Sequence, residues 1–390
     1  MAEHVTILGD GAMATVCSIL LTQGGHSVTM WGAFEDSIER LVQNREQSKL
    51  LPGARIPPNV RLTANDAECF KGATLVLSAV PTQYMRAVWQ RLGPHLPPSF
   101  AIVSVAKGIE NNTLLRPTQI IQDVLGKRDG ATDDLKKRDG ETAGRGHGGT
   151  EQSVESFSPS PRLSVSPSPH PSVPPSPRPP VSPSSHSVAA LSGPNIAAEL
   201  AKCLPATAVA ASADAELALR VQNVFSTEWF RVYTNTDVIG VELAGAMKNI
   251  VAIAAGILDG LAAGNNAKAA LVTRGLVEIT RLGVAMGAHP ETFGGLAGLG
   301  DLITTCVSPE GRNRTVGERI GKGQKIADVL EKMDSVAEGV PTTQSVMQLA
   351  RRYNVEMPIT EAVYSVLFEN KDVLHALSEL MSRDPKPERH

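Results

Sequence analysis

Lys248 and Asn249 are the only strongly polar side chains in the sixteen residues from Leu243 to Leu258, LAGAMKNIVAIAAGIL. An ammonium in the middle of such a helix has lost much of its hydration, a cost tolerated mainly where the charge has a job. Positions one turn away (Ala244, Gly245, Val251, Ala252) offer no opposite charge. A buried amine of this kind can give a proton to a reacting oxygen or remove one. The run is shorter than the ~20 residues of a membrane span, so it reads as a core helix that does not cross a membrane.

Other groups could work with it. Lys107, in Ala106-Lys107-Gly108, ends a β-rich run where ligands bind in open α/β sheets; an ordinary loop charge is the equal alternative. Asp301, in Gly298-Leu299-Gly300-Asp301 and followed by Thr304 and Thr305, could orient a lysine or a substrate hydroxyl, or simply cap a helix. Gly311-Arg312-Asn313-Arg314 sets a guanidinium fork beside an amide, suited to a phosphate monoester. Near the N-terminus, Gly9-Asp10-Gly11-Ala12-Met13-Ala14 follows a strand and opens a helix. There Gly9 permits a tight turn, Gly11 lets backbone approach a pyrophosphate, and Ala14 is small enough for helix to pack on strand.

The elements that must position these groups are legible. His4–Leu8, Ser27–Trp31, Ala73–Val80 and Phe100–Ala106 read as buried parallel strands, with helices over 12–23, 34–45, 82–92 and 113–125. Val188–Leu191, Thr207–Ser212 and Phe230–Asn235 read as further strands, and Asn195 as the N-cap of a helix running to about Lys202. After Asp237 the pattern is helical. The expected class is α/β: a Rossmann-type, doubly wound dinucleotide-binding domain over 1–236, an all-α substrate domain over 237–382, and a loose tail over 383–390. Residues 127–187 interrupt the first domain; from Ser153 to Ser187, 13 serines and 11 prolines fill 35 positions, a composition expected to be disordered.

The balance of 37 Lys+Arg against 40 Asp+Glu gives a net charge of −3, which argues against a nucleic-acid partner. Cys17, Cys69, Cys203 and Cys306 are scattered, without the spacing of a zinc site or a disulfide framework, and no signal peptide precedes the first strand. A cytoplasmic protein without a metal is expected. Oligomeric state is left open, and a homodimer is compatible with the sequence.

Together, the runs GDGAMA, VAKGIE, LSGPNIAAELA, TNTDVIGVELAGAMKNIVAIAAGILDGL, AGLGDLITTC, SPEGRNRTVG and AEG resemble the bacterial-type NAD(P)-dependent glycerol-3-phosphate dehydrogenases. The likeness covers 3–126 and 188–382. It implies reversible reduction of dihydroxyacetone phosphate to sn-glycerol 3-phosphate, feeding glycerophospholipid synthesis. By motif position Lys248 looks like the family's catalytic lysine, and Lys107 like a second lysine touching cofactor and substrate. Gly193, Asn195, Asp301, Gly311, Arg312 and Asn313 match substrate contacts. The glycine-rich turn, Ala33, Ala197, Arg312, Val336 and Glu338 match cofactor contacts.

Departures from the family pattern are Ala14 for glycine, Ala33 where many relatives carry a basic or polar residue, Asn195 for Thr or Ser, and Gly311 for Ser. Glu35 and Asp36, just past the second strand, tilt slightly to NAD, yet the choice between NAD and NADP stays open. In the implied mechanism burial and Lys107 lower the pKa of Lys248, Asp301 and Asn249 aim its ammonium, and Arg312 with Asn313 holds the phosphate. Two rivals remain: a dehydrogenase of the same layout acting on a hydroxyacid or ketopantoate-like substrate, and a non-catalytic dinucleotide sensor docking through its Ser/Pro segment.

Overall fold

A computed structural model describes residues 2–97, 99–126, 186–333, 336–385 and 387. Its first half is one eight-stranded sheet in the order β3-β2-β1-β4-β5-β6-β7-β8. The strands are β1 (His4–Leu8), β2 (Ser27–Trp31), β3 (Arg61–Thr63), β4 (Leu75–Ser78), β5 (Ala101–Ser104), β6 (Ser187–Ser192), β7 (Ala206–Ala211) and β8 (Phe230–Asn235). Strands β1 to β6 are mutually parallel, and their order is that of a doubly wound dinucleotide-binding sheet. β7 lies antiparallel to β6, and β8 follows β7. The thirteen-residue link from Gly193 to Pro205 holds only a one-turn helix, so the chain turns back beside β6.

Helices α1 (Ala12–Gln23), α2 (Glu35–Asn44), α3 (Thr82–Leu92) and α4 (from 117 to 126) cover the parallel part; α5 (Ala197–Leu200) and α6 (Ala215–Phe225) accompany the reversed strands. After β8 the described chain is helical. α7 (Val238–Gly260), α8 (Gly264–Ala285), α9 (Pro290–Phe293), α10 (Asp301–Val307), α11 (Arg312–Gly321), α12 (Ile326–Glu331), α13 (Gly339–Tyr353), α14 (Pro358–Phe368) and α15 (Val373–Met381) follow in turn. An α/β sheet followed by an all-α part is the expected class.

Several expectations need correcting. The edge strand β3 is three residues long and mostly polar, too short for an alternating pattern to show. α6 is capped by Asp214, whose carboxylate accepts from Glu216 N and Leu217 N, a signal present in the sequence. Asn195 is not an N-cap: Ile196 holds that position for α5, which stops at Leu200, and Cys203 turns left-handed (φ 55°) soon after. The expected disorder of 127–187 falls almost wholly on 127–185, outside the described residues; Ser187 opens β6 and the His186 ring accepts from Phe100 N. In the tail, Arg383 pairs with Glu356.

α7 is the axis of the helical part. At 23 residues it exceeds the apolar run read from sequence, because Asp237 starts it early; that carboxylate accepts from Gly240 N, His289 N and Thr292 Oγ1. The helix is long and apolar enough to cross a membrane, but most of it is buried within this chain. Leu243, Met247, Ile250 and Ile253 join Leu282, Phe293, Val316 and Leu349 in its core. α11 crosses it in near backbone contact. A Cβ on Gly256 would lie 1.9 Å from the Arg314 carbonyl oxygen, and one on Gly317 1.9 Å from that of Ile253. Gly256→Ala should therefore destabilise the fold by about 1–3 kcal/mol, or more if the helices cannot part; an unchanged denaturation midpoint would contradict this packing.

The helical part also grips the sheet part. The Glu242 carboxylate of α7 accepts from Thr118 N and Thr118 Oγ1 at the start of α4 and pairs with Arg116. Ser345 of α13 donates to the Ile109 carbonyl at 3.1 Å. These contacts hold the 109–118 segment against α7 and α13.

Candidate active site

Lys248 lies near the middle of α7 and is 7% exposed. No residue one turn away neutralises it; the partner comes from another element. Its Nζ donates to Asp301 Oδ1 at 2.8 Å and to Thr305 Oγ1 at 2.6 Å. Asp301 opens α10 just after the irregular Gly-rich turn, and the Thr305 hydroxyl, one turn on, donates a hydrogen bond to the Asp301 carbonyl at 2.7 Å. The other oxygen of Asp301 accepts from Lys107 Nζ at 2.5 Å. One buried carboxylate thus joins two ammonium groups.

Lys107 sits three residues beyond β5 and also donates to the Gly193 carbonyl at 2.8 Å. Gly193, at the end of β6, has φ 151°, and a Cβ there would come within 2.9 Å of Ala208 Cα and the Thr207 oxygen, so only glycine fits. Asn249 does not aim the Lys248 ammonium, contrary to expectation. Successive helix residues diverge by about 100°, and its Nδ2 donates instead to the Lys107 carbonyl at 3.0 Å. Asn249 holds the Lys107 main chain.

Burial is the main influence on Lys248 and pushes its pKa down to about 8; the Lys107 charge acts in the same direction, while the Asp301 carboxylate pulls it back up. The amine is therefore poised to exchange a proton near neutral pH.

The remaining residues fall at three places around this cluster. Asn195, with its amide nitrogen toward them, meets the carbonyls of Thr207 and Pro194 rather than either lysine. Ala197 begins α5 and packs on the sheet core. Gly311 precedes α11; Arg312 is exposed and donates to the Val336 carbonyl at 3.2 Å, whereas Arg314 is spent on Asp259 at 2.7 Å. Asn313 is buried, accepting from Gly339 N at 3.0 Å. A Cβ on Gly339 would lie 2.8 Å from the Asn249 carbonyl oxygen, so this turn abuts α7 beside the lysine. Glu338 reaches across to the sheet part and accepts from Thr82 N at the start of α3.

At the sheet's carboxyl edge, Gly9 adopts φ 120° and a Cβ on it would lie 3.0 Å from the Ala79 oxygen. Gly11 precedes α1, whose first turn has neither a side-chain cap nor an acid. The N–H groups of Ala12, Met13 and Ala14 and the helix dipole fit a pyrophosphate there. Ala14 is buried against the sheet, and Ala33, half-buried after β2, gives its carbonyl to Arg91. These residues fit a dinucleotide. Thr305 is the site residue that sequence reasoning left without a role, although its place four residues after Asp301 puts both on one helix face.

Comparison with known proteins agrees with this architecture. The family described as NAD-dependent glycerol-3-phosphate dehydrogenase matches by its N-terminal part over 4–132 and by its C-terminal part over 237–378. A glycerol-3-phosphate dehydrogenase (NAD(P)+) of Geobacter sulfurreducens is 42% identical, with 100% of both chains covered. That of Citrifermentans bemidjiense is 41% identical, covering 100% of this chain and 99% of its own. The crystal structure of glycerol-3-phosphate dehydrogenase from Coxiella burnetii superposes with a TM-score of 0.80 at 29% identity, covering 98% of this chain and 99% of that one. Matched in both parts and across its whole length, the chain belongs to the NAD-dependent glycerol-3-phosphate dehydrogenase family.

Proposed function

We propose that this chain is an NAD(P)-dependent sn-glycerol-3-phosphate dehydrogenase that interconverts dihydroxyacetone phosphate and sn-glycerol 3-phosphate, with Lys248 as its general acid and base. The observation that carries the assignment of Lys248 is the Lys248–Asp301–Lys107 bridge: a buried amine tuned to about 8 and held by a carboxylate that also holds a second cation. The nicotinamide, when bound, supplies or accepts the hydride at the substrate's central carbon. In reduction, Lys248 Nζ gives its proton to the substrate oxygen as negative charge builds there; in oxidation, the neutral amine removes the hydroxyl proton.

Asp301 and Thr305 fix the direction of Nζ, and Lys107 stabilises the developing alkoxide. Arg312 and the buried Asn313 turn hold the phosphate, turning its binding energy into alignment of the carbonyl. Ala12, Met13 and Ala14 receive the pyrophosphate, and Val336 and Glu338 close the cofactor side. A hydroxyacid or ketopantoate substrate is set aside because both family halves match. The product feeds glycerophospholipid synthesis, and we place the enzyme in the cytoplasm.

The test is the pH profile in both directions. For oxidation of glycerol 3-phosphate, kcat/KM should rise through an apparent pKa of about 8, the value at which Lys248 loses its proton. For reduction of dihydroxyacetone phosphate it should fall over the same range, because the acid form disappears. Profiles that are flat across this range in both directions would remove Lys248 from the role. No turnover of dihydroxyacetone phosphate with NADH or NADPH, nor of glycerol 3-phosphate with NAD+ or NADP+, would remove the function.

A further inference from the structure

We infer that the Arg91–Asp66 ion pair sets the choice between NAD and NADP in this chain. This rests on the dinucleotide reading above. In doubly wound sheets the ribose 2′ position is read at the carboxyl end of the second strand, by an acid for a hydroxyl or by a cation for a phosphate. Here β2 ends at Trp31, and the residues that follow, Gly32 and Ala33, have no side chain able to do either.

A cation reaches the same place from a different element. Arg91, in the last turn of α3, donates from Nη1 to the Ala33 carbonyl at 3.0 Å and stacks 5.1 Å over the Trp31 ring. Its Nε and Nη2 bind Asp66 at 2.7 and 2.8 Å, and Asp66 is itself fixed by Trp31 Nε1 at 3.1 Å. The guanidinium has five N–H donors and these bonds use three. The side chain is 44% exposed, so the guanidinium is not closed off from a ligand.

Arg91 thus offers a 2′-phosphate the planar donor edge that residue 33 lacks, while Asp66 cancels much of its charge and repels the same phosphate. The acids of the first turn of α2, Glu35 and Asp36, add to that repulsion, Asp36 being partly offset by Arg40 at 3.3 Å. A protein with this pair binds both nucleotides with modest discrimination, and the discrimination is set by the balance within the pair.

The experiment is equilibrium titration of the full-length protein with NADPH and NADH, followed by nucleotide fluorescence at fixed ionic strength. Arg91→Gln should weaken NADPH about tenfold or more and leave NADH within about twofold, since only the phosphate loses a charge-assisted partner. Asp66→Asn keeps an acceptor for Trp31 and should tighten NADPH several-fold at nearly constant NADH affinity. If the ratio of the two affinities is unchanged in both variants, or if both nucleotides weaken equally, the pair is structural and the inference fails. A wild-type protein that binds neither nucleotide would overturn the dinucleotide reading itself, and this inference with it.

Discussion

Lys248→Ala should lower kcat by on the order of 10²–10⁴-fold with the fold intact, the usual contribution of a positioned acid or base. The size follows from what is lost. Among the described residues the other amine of this cluster is Lys107, which holds the opposite oxygen of Asp301 and the Gly193 carbonyl and so does not occupy the place of the Lys248 amine. The fold should survive because Asp301 keeps Lys107 as a partner and is not left as a lone buried charge. Removing a 7% exposed ammonium from an apolar helix also relieves a desolvation cost, so the thermal midpoint should stay level or rise. Lys248→Met, which keeps the bulk, should behave alike. Steady-state kinetics beside a melting curve checks both halves of the prediction, and full activity in either variant would remove the assignment.

Arg312→Ala should act on binding instead. A guanidinium fork on a phosphate is a charge-assisted contact of roughly 1.5–3 kcal/mol, so KM for dihydroxyacetone phosphate should rise about 10–100-fold. Arg314→Ala is the control. Its guanidinium is turned onto Asp259 at the far end of α7, and its loss should lower stability while KM hardly moves. If the two variants exchanged these phenotypes, the phosphate clamp would be the wrong arginine. An unchanged KM in Arg312→Ala would exclude it altogether.

The choice between those arginines shows where sequence reading stops. The run Gly311-Arg312-Asn313-Arg314 announces a phosphate-binding fork, but the spacing does not say which guanidinium is available; that depends on Asp259, some fifty residues away. Lys248 is a similar case. Its oddity is visible in sequence, because an apolar helix has no reason to carry an amine. Its partner is not, because Asp301 reaches it from another helix across a Gly-rich turn. Asn249, adjacent in sequence, faces a different neighbour and serves the Lys107 backbone.

What the amino-acid order determined alone is whatever local periodicity and turn chemistry encode. The strand-turn-helix at Gly9–Ala14, the succession of buried strands, the switch to helix after Asp237 and the anomalous lysine all belong to it. Tertiary structure decided the rest: the reversal of β7 and β8, the near-contact of α7 and α11 at Gly256 and Gly317, the sharing of Asp301 between two lysines, and the arrival of Arg91 beside Ala33. Each of these joins residues distant along the chain, and their energies depend on burial and on distances of a few ångströms that only the packed fold sets.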